Sequence, residues 1–237
     1  MIAELEYIVG FNGCNRNLEF SNQAALNVFL DVATLHGIIA GEDITKLDTR
    51  WLLTGYHVKF FSRPKYGRKI KIRTWGRVIR GVLSSREFEI RDENDNVVCI
   101  AVSNWAYVNI KEKKLIRIPQ ELADRYECEP DRHNFDDEKV EKLVEPENLS
   151  FVKMFKADRD VLDSNMHVNN GKYLAIADTV IPENLYMEKE PDEFIINYKK
   201  QIMYKEESEC WFEENDTSYT VVFKNNDIVN AIIKYIK

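Results

Sequence analysis

The chain has 237 residues, 44% of them hydrophobic, which suffices for one large domain or two of roughly 100–120 residues. A formal net charge of −7 speaks against a general nucleic-acid binder, which is usually basic. No stretch nears the roughly 18 apolar residues of a membrane span, Met1 to Tyr7 lack a secretory leader, and Cys14, Cys99, Cys128 and Cys210 show neither zinc nor disulfide spacing.

The expectation is therefore a folded cytoplasmic protein with no nucleic-acid partner, no membrane partner, no metal and no cofactor. In chain order, residues 4–14 alternate and are rich in Tyr, Ile, Val and Phe, which predicts a first strand. From Ser21 the period changes: Ala25, Phe29, Val32, Ala33, His36 and Ile39 recur at three- and four-residue spacing behind a Ser21/Asn22 cap signal, with Gly41 just beyond. This predicts a helix of about five turns with a broad apolar face. Strands follow at 51–61, 69–75, 82–91 and 97–108, the last two joined by the turn-forming Asp92-Glu93-Asn94-Asp95-Asn96. Residues 120–148 differ in kind. Acidic residues there outnumber basic ones by eleven to four, Pro130 and Pro146 interrupt them, and the stretch reads as a solvated acidic linker with one short helix.

After the linker the order repeats. Residues 149–161 are strand-like, a polar stretch leads into a helix reaching about Thr179, and strands follow near 193–203, 208–214, 217–224 and 228–236. Strand, helix and four strands thus occur twice. The prediction is an α+β protein with one domain at 1–119, the linker at 120–148 and a second domain at 149–237, each domain an antiparallel sheet wrapped around a long helix.

The densest chemistry lies at the second helix start, where Asp163 to Tyr173 hold a carboxylate, three carboxamides, an imidazole and a phenol. Amides at a helix start can polarise an acyl carbonyl. Asp163 and Asn165 can orient water or take a proton, and His167 adds an imidazole that can move one. Asp and Asn before a helix are equally ordinary caps, so Asn169 and Asn170 have a structural reading beside the chemical one. Asp178, eleven positions after His167, shares its face of a regular helix and is a second carboxylate candidate, unless it is simply exposed near the helix end.

Asp163-x-Asn165-x-His167-Val168-Asn169-Asn170-x-x-Tyr173 resembles the motif of the plant and bacterial acyl-acyl carrier protein thioesterases. Trp51 to His57, Pro64, Gly67, Thr74-Trp75, Trp105 and Arg117-Ile118-Pro119 extend the similarity over nearly the whole chain. The resemblance implies two tandem hot-dog domains, the first holding much of the acyl chain and the second carrying catalytic Asp163, Asn165 and His167. It implies hydrolysis of fatty acyl-carrier thioesters in fatty acid biosynthesis, with the acyl carrier protein and the fatty acyl chain as partners. Where the family commonly has Glu, this chain has Gln201, which cannot be a general base but can bond a water or His167; Asn169 and Asp178 are further supporting candidates. Two such domains can pair within one chain, which leaves both a monomer and a homodimer open.

From Lys59 to Arg80 there are nine Lys and Arg and no acidic residue. Arg63, Lys65, Arg68, Lys69, Lys71 and Arg73 could form a docking face for an acidic carrier protein, or a solvated edge hairpin that blocks aggregation. Two other functions compete with hydrolysis. A hydratase or dehydratase acting on acyl thioesters uses similar residues at a different spacing, and a non-catalytic acyl-binding protein would tolerate Gln201.

Overall fold

Alternation in stretches such as Lys69-Ile70-Lys71-Ile72 turns one face of each strand to the core, and the resulting sheet runs through the whole chain. The structure is a computed structural model that describes every residue except Ile44 and Glu138. Its elements are β1 (Ile2–Ile8), α1 (Asn22–Ile39), β2 (Thr49–Phe60), β3 (Lys69–Arg80), β4 (Leu83–Arg91), β5 (Val97–Asn109), β6 (Lys114–Leu115), α2 (Gln120–Arg125), β7 (Ser150–Lys156), α3 (Lys172–Ala177), α4 (Glu183–Met187), β8 (Glu193–Tyr198), β9 (Glu207–Glu214), β10 (Ser218–Asn225) and β11 (Ile228–Ile236). The sheet order is β1-β3-β4-β5-β2-β8-β11-β10-β9-β7, with β6 added to β5. Each half is the same antiparallel unit, and the halves meet where β2 pairs with β8 through Gly55↔Asn197, His57↔Ile195 and Lys59↔Glu193. A Cβ on Gly55 would lie 2.7 Å from the Ile196 carbonyl oxygen, so this seam requires glycine.

The first helix is as long as expected. Ser21 caps it by accepting from Ala24 N, and Ala25, Phe29 and Val32 bury themselves in the cluster that holds Ile70, Ile72, Phe88 and Ile90. Burying a side chain such as Phe29, whose ring lies 4.7 Å from Phe88, contributes about 1.5–3 kcal/mol.

The second helix corrects the expectation of a long helix in both domains. α3 has six residues and ends at Ala177; Thr179 Oγ1 bonds back to the Ile176 carbonyl, and Val180 and Ile181 turn the chain into Pro182, which begins α4. Two β-branched residues followed by a proline lacking an N–H end the helical ladder there. The strands expected at 4–14, 149–161 and 193–203 also stop early, at Ile8, Lys156 and Tyr198, because the chain leaves the sheet for loops around each helix start.

The acidic segment is not solvated along its length. Trp75 Nε1 donates to Arg132 O, Arg77 Nη1 to Phe135 O and Asp137 O, and Val140 N to Asn104 Oδ1. Leu143 is buried, and its N–H donates to Asn197 Oδ1. Polar side chains of the sheet thus pair the linker backbone, and Glu141 and Glu145 add ion pairs to Lys234 and Lys224. Among the described residues, no helix is long and apolar enough to cross a membrane.

Candidate active site

Residues Leu162 to Val168 fold back on themselves. Asp163 N donates to His167 O at 2.9 Å and Met166 N to Asp163 O at 3.1 Å, with Met166 at φ 63°. Asp163 Oδ1 accepts the Asn165 N–H at 2.8 Å, which fixes the carboxylate. Its Oδ2 lies 3.3 Å from His167 Nδ1, and the two side chains are 23% and 12% exposed. That nitrogen is also 3.3 Å from Val168 O. Facing two acceptors, Nδ1 carries the proton of a neutral ring, leaving Nε2 as the basic nitrogen. The Asn165 side chain is exposed, so its backbone, not its amide, orients Asp163.

Asn169 Oδ1 accepts the Gly171 N–H at 2.9 Å, so Asn169 acts as a cap. Asn170 O accepts from Tyr198 Oη at 2.8 Å, whereas the Asn170 N–H has no acceptor among the described residues. Gly171 lies under α1 of the first repeat, where an added Cβ would strike Asn27 Oδ1. With only six residues in α3, polarisation of a carbonyl here rests on individual N–H groups more than on a summed helix dipole.

The same loop exists in the first repeat, 148 positions earlier. Asn15 N donates to Glu19 O, Leu18 N to Asn15 O, Asn15 Oδ1 accepts from Asn17 N, and Leu18 takes φ 58°. Phe20 N donates to Pro64 O as Val168 N donates to Ile202 O, and Tyr66 N to Leu18 O as Tyr204 N donates to Met166 O. Isolated bridges repeat too, Cys14↔Phe20 and Glu19↔Lys65 matching Leu162↔Val168 and His167↔Met203. The two loops therefore share their backbone while differing at the side chains that matter to chemistry. Asp163 stands where the first loop has Asn15, His167 where it has Glu19, and Gln201 where it has Arg63.

Those exchanges change what each loop contains. Asn22 N, the counterpart of Asn170 N, donates to Glu190 Oε1 at 2.9 Å; Asn15 Nδ2 donates to Glu190 Oε2 at 2.8 Å, and Arg63 Nη1 reaches the same oxygen at 3.2 Å. The Arg63 side chain is only 2% exposed and is held further by Phe20 O, Asn22 Oδ1, Pro191 O and Asp192. By the same sequence offset that relates Arg63 to Gln201, Glu190 and Asp192 correspond to Leu52 and Thr54, neither of them a carboxylate.

Asp178 does not join His167, which precedes the helix. It lines a cavity of about 220 Å³ at the first repeat's loop, with Asn15, Arg16, Asn22, Leu174 and Glu190. Asp178 is exposed at the helix end, as the sequence allowed, yet its carboxyl faces this cavity, where desolvation followed by Glu190 repulsion pushes it up to about 7 against the pull of Arg16. Gln201 lies beyond the end of β8, exposed and without a hydrogen bond among the described residues. Of the six docking candidates, Arg63 is interior, Arg68 pairs with Glu93 at 3.5 Å and Arg73 with Glu4 at 2.5 Å. Lys65, Lys69 and Lys71 have no ion pair among the described residues. Asn15 and Glu190 were not singled out by the sequence, whereas the Asn170 N–H belongs to the helix-start amides that were. The spacing Asn15-x-Asn17-x-Glu19-Phe20 against Asp163-x-Asn165-x-His167-Val168 carries the signal that would have found the first loop.

Residues 3–126 match the family model of the acyl-ACP thioesterase N-terminal domain and residues 144–236 that of the C-terminal domain. The chloroplastic oleoyl-acyl carrier protein thioesterase 2 of Arabidopsis thaliana is 24% identical over 197 residues, covering 79% of this chain and 51% of that protein. The chain spans about half the length of the curated relatives it matches. An acyl-ACP thioesterase from Bacteroides thetaiotaomicron has the same fold, with TM-score 0.88 and 22% identity over 99% of this chain and 97% of that one. The 12:0-ACP thioesterase of Umbellularia californica aligns with TM-score 0.82 and 17% identity over 99% of this chain and 96% of that one. With both domain models matched in order along nearly its full length, the chain belongs to the acyl-ACP thioesterase family.

Proposed function

We infer that the protein hydrolyses fatty acyl-acyl carrier protein thioesters to free fatty acid and carrier thiol, with the chemistry at the second repeat's loop. The observation that carries this reading is the pairing of Asp163 Oδ2 with His167 Nδ1 at 3.3 Å beside the unpaired Asn170 N–H. The thioester carbonyl oxygen rests on that N–H, which stabilises the charge developing on it. Asp163, its other oxygen pinned by Asn165 N, activates or positions the attacking group, and His167 moves the proton. The exposed Asn165 amide holds water. Water's oxygen bonds to the acyl carbon, the carbon–sulfur bond breaks, and the thiol leaves with a proton. Direct attack by water and a covalent Asp163 anhydride both balance; heavy-oxygen label entering Asp163 in a single turnover marks the second.

The first domain houses the acyl chain, with catalysis in the second. Supporting this, the counterparts of Asp178 and Glu190 in the first repeat's sequence are Leu30 and Leu52, apolar residues suited to an acyl group. Lys65, Lys69 and Lys71, with Arg68 and Arg73, offer the acidic carrier a docking face.

Thiol release from a fatty acyl-carrier thioester tests the reading. Asp163→Ala should lower it by about 10² to 10⁴. Release unchanged by this substitution points to a non-catalytic role for the loop, and a hydrated acyl thioester without free thiol points to a hydratase.

A further inference from the structure

The first repeat holds a carboxylate in the position where the second is read as receiving a thioester carbonyl. Glu190 reaches across from the second repeat and places Oε1 on Asn22 N–H and Oε2 on Asn15 Nδ2, with the buried Arg63 behind it. Glu190 is 21% exposed, and the cavity of about 220 Å³ adjoins it. All three contacts are donors, as a carboxylate requires. The slot thus exists in two copies on one backbone, and one copy is seen filled.

We propose that the two copies are one acyl-group slot in two charge states: the first, with Asn15, retains a carboxylate, while the second, with Asp163, admits a neutral carbonyl and expels a carboxylate. The decisive difference is one atom. Asn15 turns an Nδ2 donor to the occupant, whereas Asp163 turns Oδ2, which cannot donate and carries charge. Its Oδ1 is the fixed oxygen in both, bonded to the N–H two residues on. A neutral thioester feels no repulsion from Asp163. Once hydrolysis has made a carboxylic acid, which is ionised at neutral pH, two like charges share the slot and the product is driven out. Gln201 in place of Arg63 removes the cation that would otherwise hold it. Asp163 thereby acquires a second role, in product release.

The proposal rests on the hydrolytic reading only in taking the ligand to be an acyl group, and its test measures no turnover. Decanoate is titrated into the wild-type chain and into Asp163→Asn, which copies the first loop and should fold because Asn15 already makes the required Oδ1 bond. The variant should bind decanoate at least tenfold more tightly than the wild type; equal or weaker binding overturns the proposal. If wild-type hydrolysis is absent while this contrast is present, only the hydrolytic reading falls. The filled slot is tested separately by Glu190→Ala. Its melting temperature should drop and be restored by acetate but not by chloride at the same ionic strength, or, if it folds poorly, its refolding yield should recover in acetate alone. Glu190→Gln, still filling the slot, should gain nothing from acetate. A Glu190→Ala chain indifferent to acetate, or a Glu190→Gln chain that responds equally, contradicts the filled-slot premise.

Discussion

The loops at Asn15–Phe20 and Asp163–Val168 share a backbone, a positive φ at Leu18 and Met166, and an oxygen of the first side chain bonded to the N–H two residues on. They differ at the side chains that face the slot. In the first loop the Asn22 N–H, Asn15 Nδ2 and Arg63 all donate to Glu190. In the second, Asp163 and His167 face each other and the Asn170 N–H is left without a partner. The backbone of the loop is thus a requirement of the fold, and a dense polar turn before a helix is not by itself a sign of chemistry. What singles out the second copy is a carboxylate, an imidazole and a vacant donor where the first copy has an amide, a carboxylate and an occupied one.

The largest expected contrast between the copies is at His167 and Glu19, which occupy the same backbone position. His167→Ala should cut thiol release by about 10² to 10⁴, whereas Glu19→Ala should leave it unchanged within error. Comparable losses from both would mean that the loops share one function. Next comes the vacant donor. Asn170→Pro deletes the N–H together with the carboxamide, and the preceding residue tolerates it when Asn169 is extended like its counterpart Ser21, at φ −83° and ψ 158°. A loss of roughly 10² to 10³ in kcat with an unchanged melting temperature is expected, against a small effect from Asn170→Ala, which keeps the N–H.

Stability should show the reverse asymmetry. Arg63→Gln removes the buried cation shared by Glu190 and Asp192 and should cost about 3 kcal/mol in urea unfolding. Gln201→Ala, at the matching exposed position, should stay within about 0.5 kcal/mol. The smallest effect belongs to Asp178. Its folded pKa is raised to about 7, so between pH 4 and 7 the native chain keeps a proton that the unfolded chain has lost. Native stability therefore declines through that window, with the full penalty above pH 7. Asp178→Asn should be indistinguishable from wild type near pH 4 and more stable at pH 8; a gain confined to low pH would refute the assignment.

Much of the fold was legible because alternation and three-to-four spacing report directly on burial. α1 from Asn22 to Ile39 and most of the strands followed from period alone. The short α3 was not legible, since Tyr173, Leu174, Ile176, Ala177 and Val180 keep helical spacing past the point where Ile181 and Pro182 end the ladder. Nor was the anchoring of the acidic linker, because its partners are backbone groups and composition reports only side chains. At the site, Asp163 and His167 stood out by residue type. Their counterparts at Asn15 and Glu19 did not, as the likeness lies in hydrogen bonds and in φ at Leu18. Arg63 was read as surface charge because the sequence does not show Glu190 and Asp192 arriving from the other repeat.

The most direct test makes the second loop a copy of the first. A fatty acyl-carrier thioester is incubated with wild type and with Asp163→Asn, and free thiol, free fatty acid and hydrated acyl thioester are quantified together. Wild type should yield acid and thiol in equal amounts, and Asp163→Asn should fall by at least about 10² in both. Wild-type rates in the variant, or a hydrated thioester without thiol from the wild type, would contradict the assignment of hydrolysis to this loop.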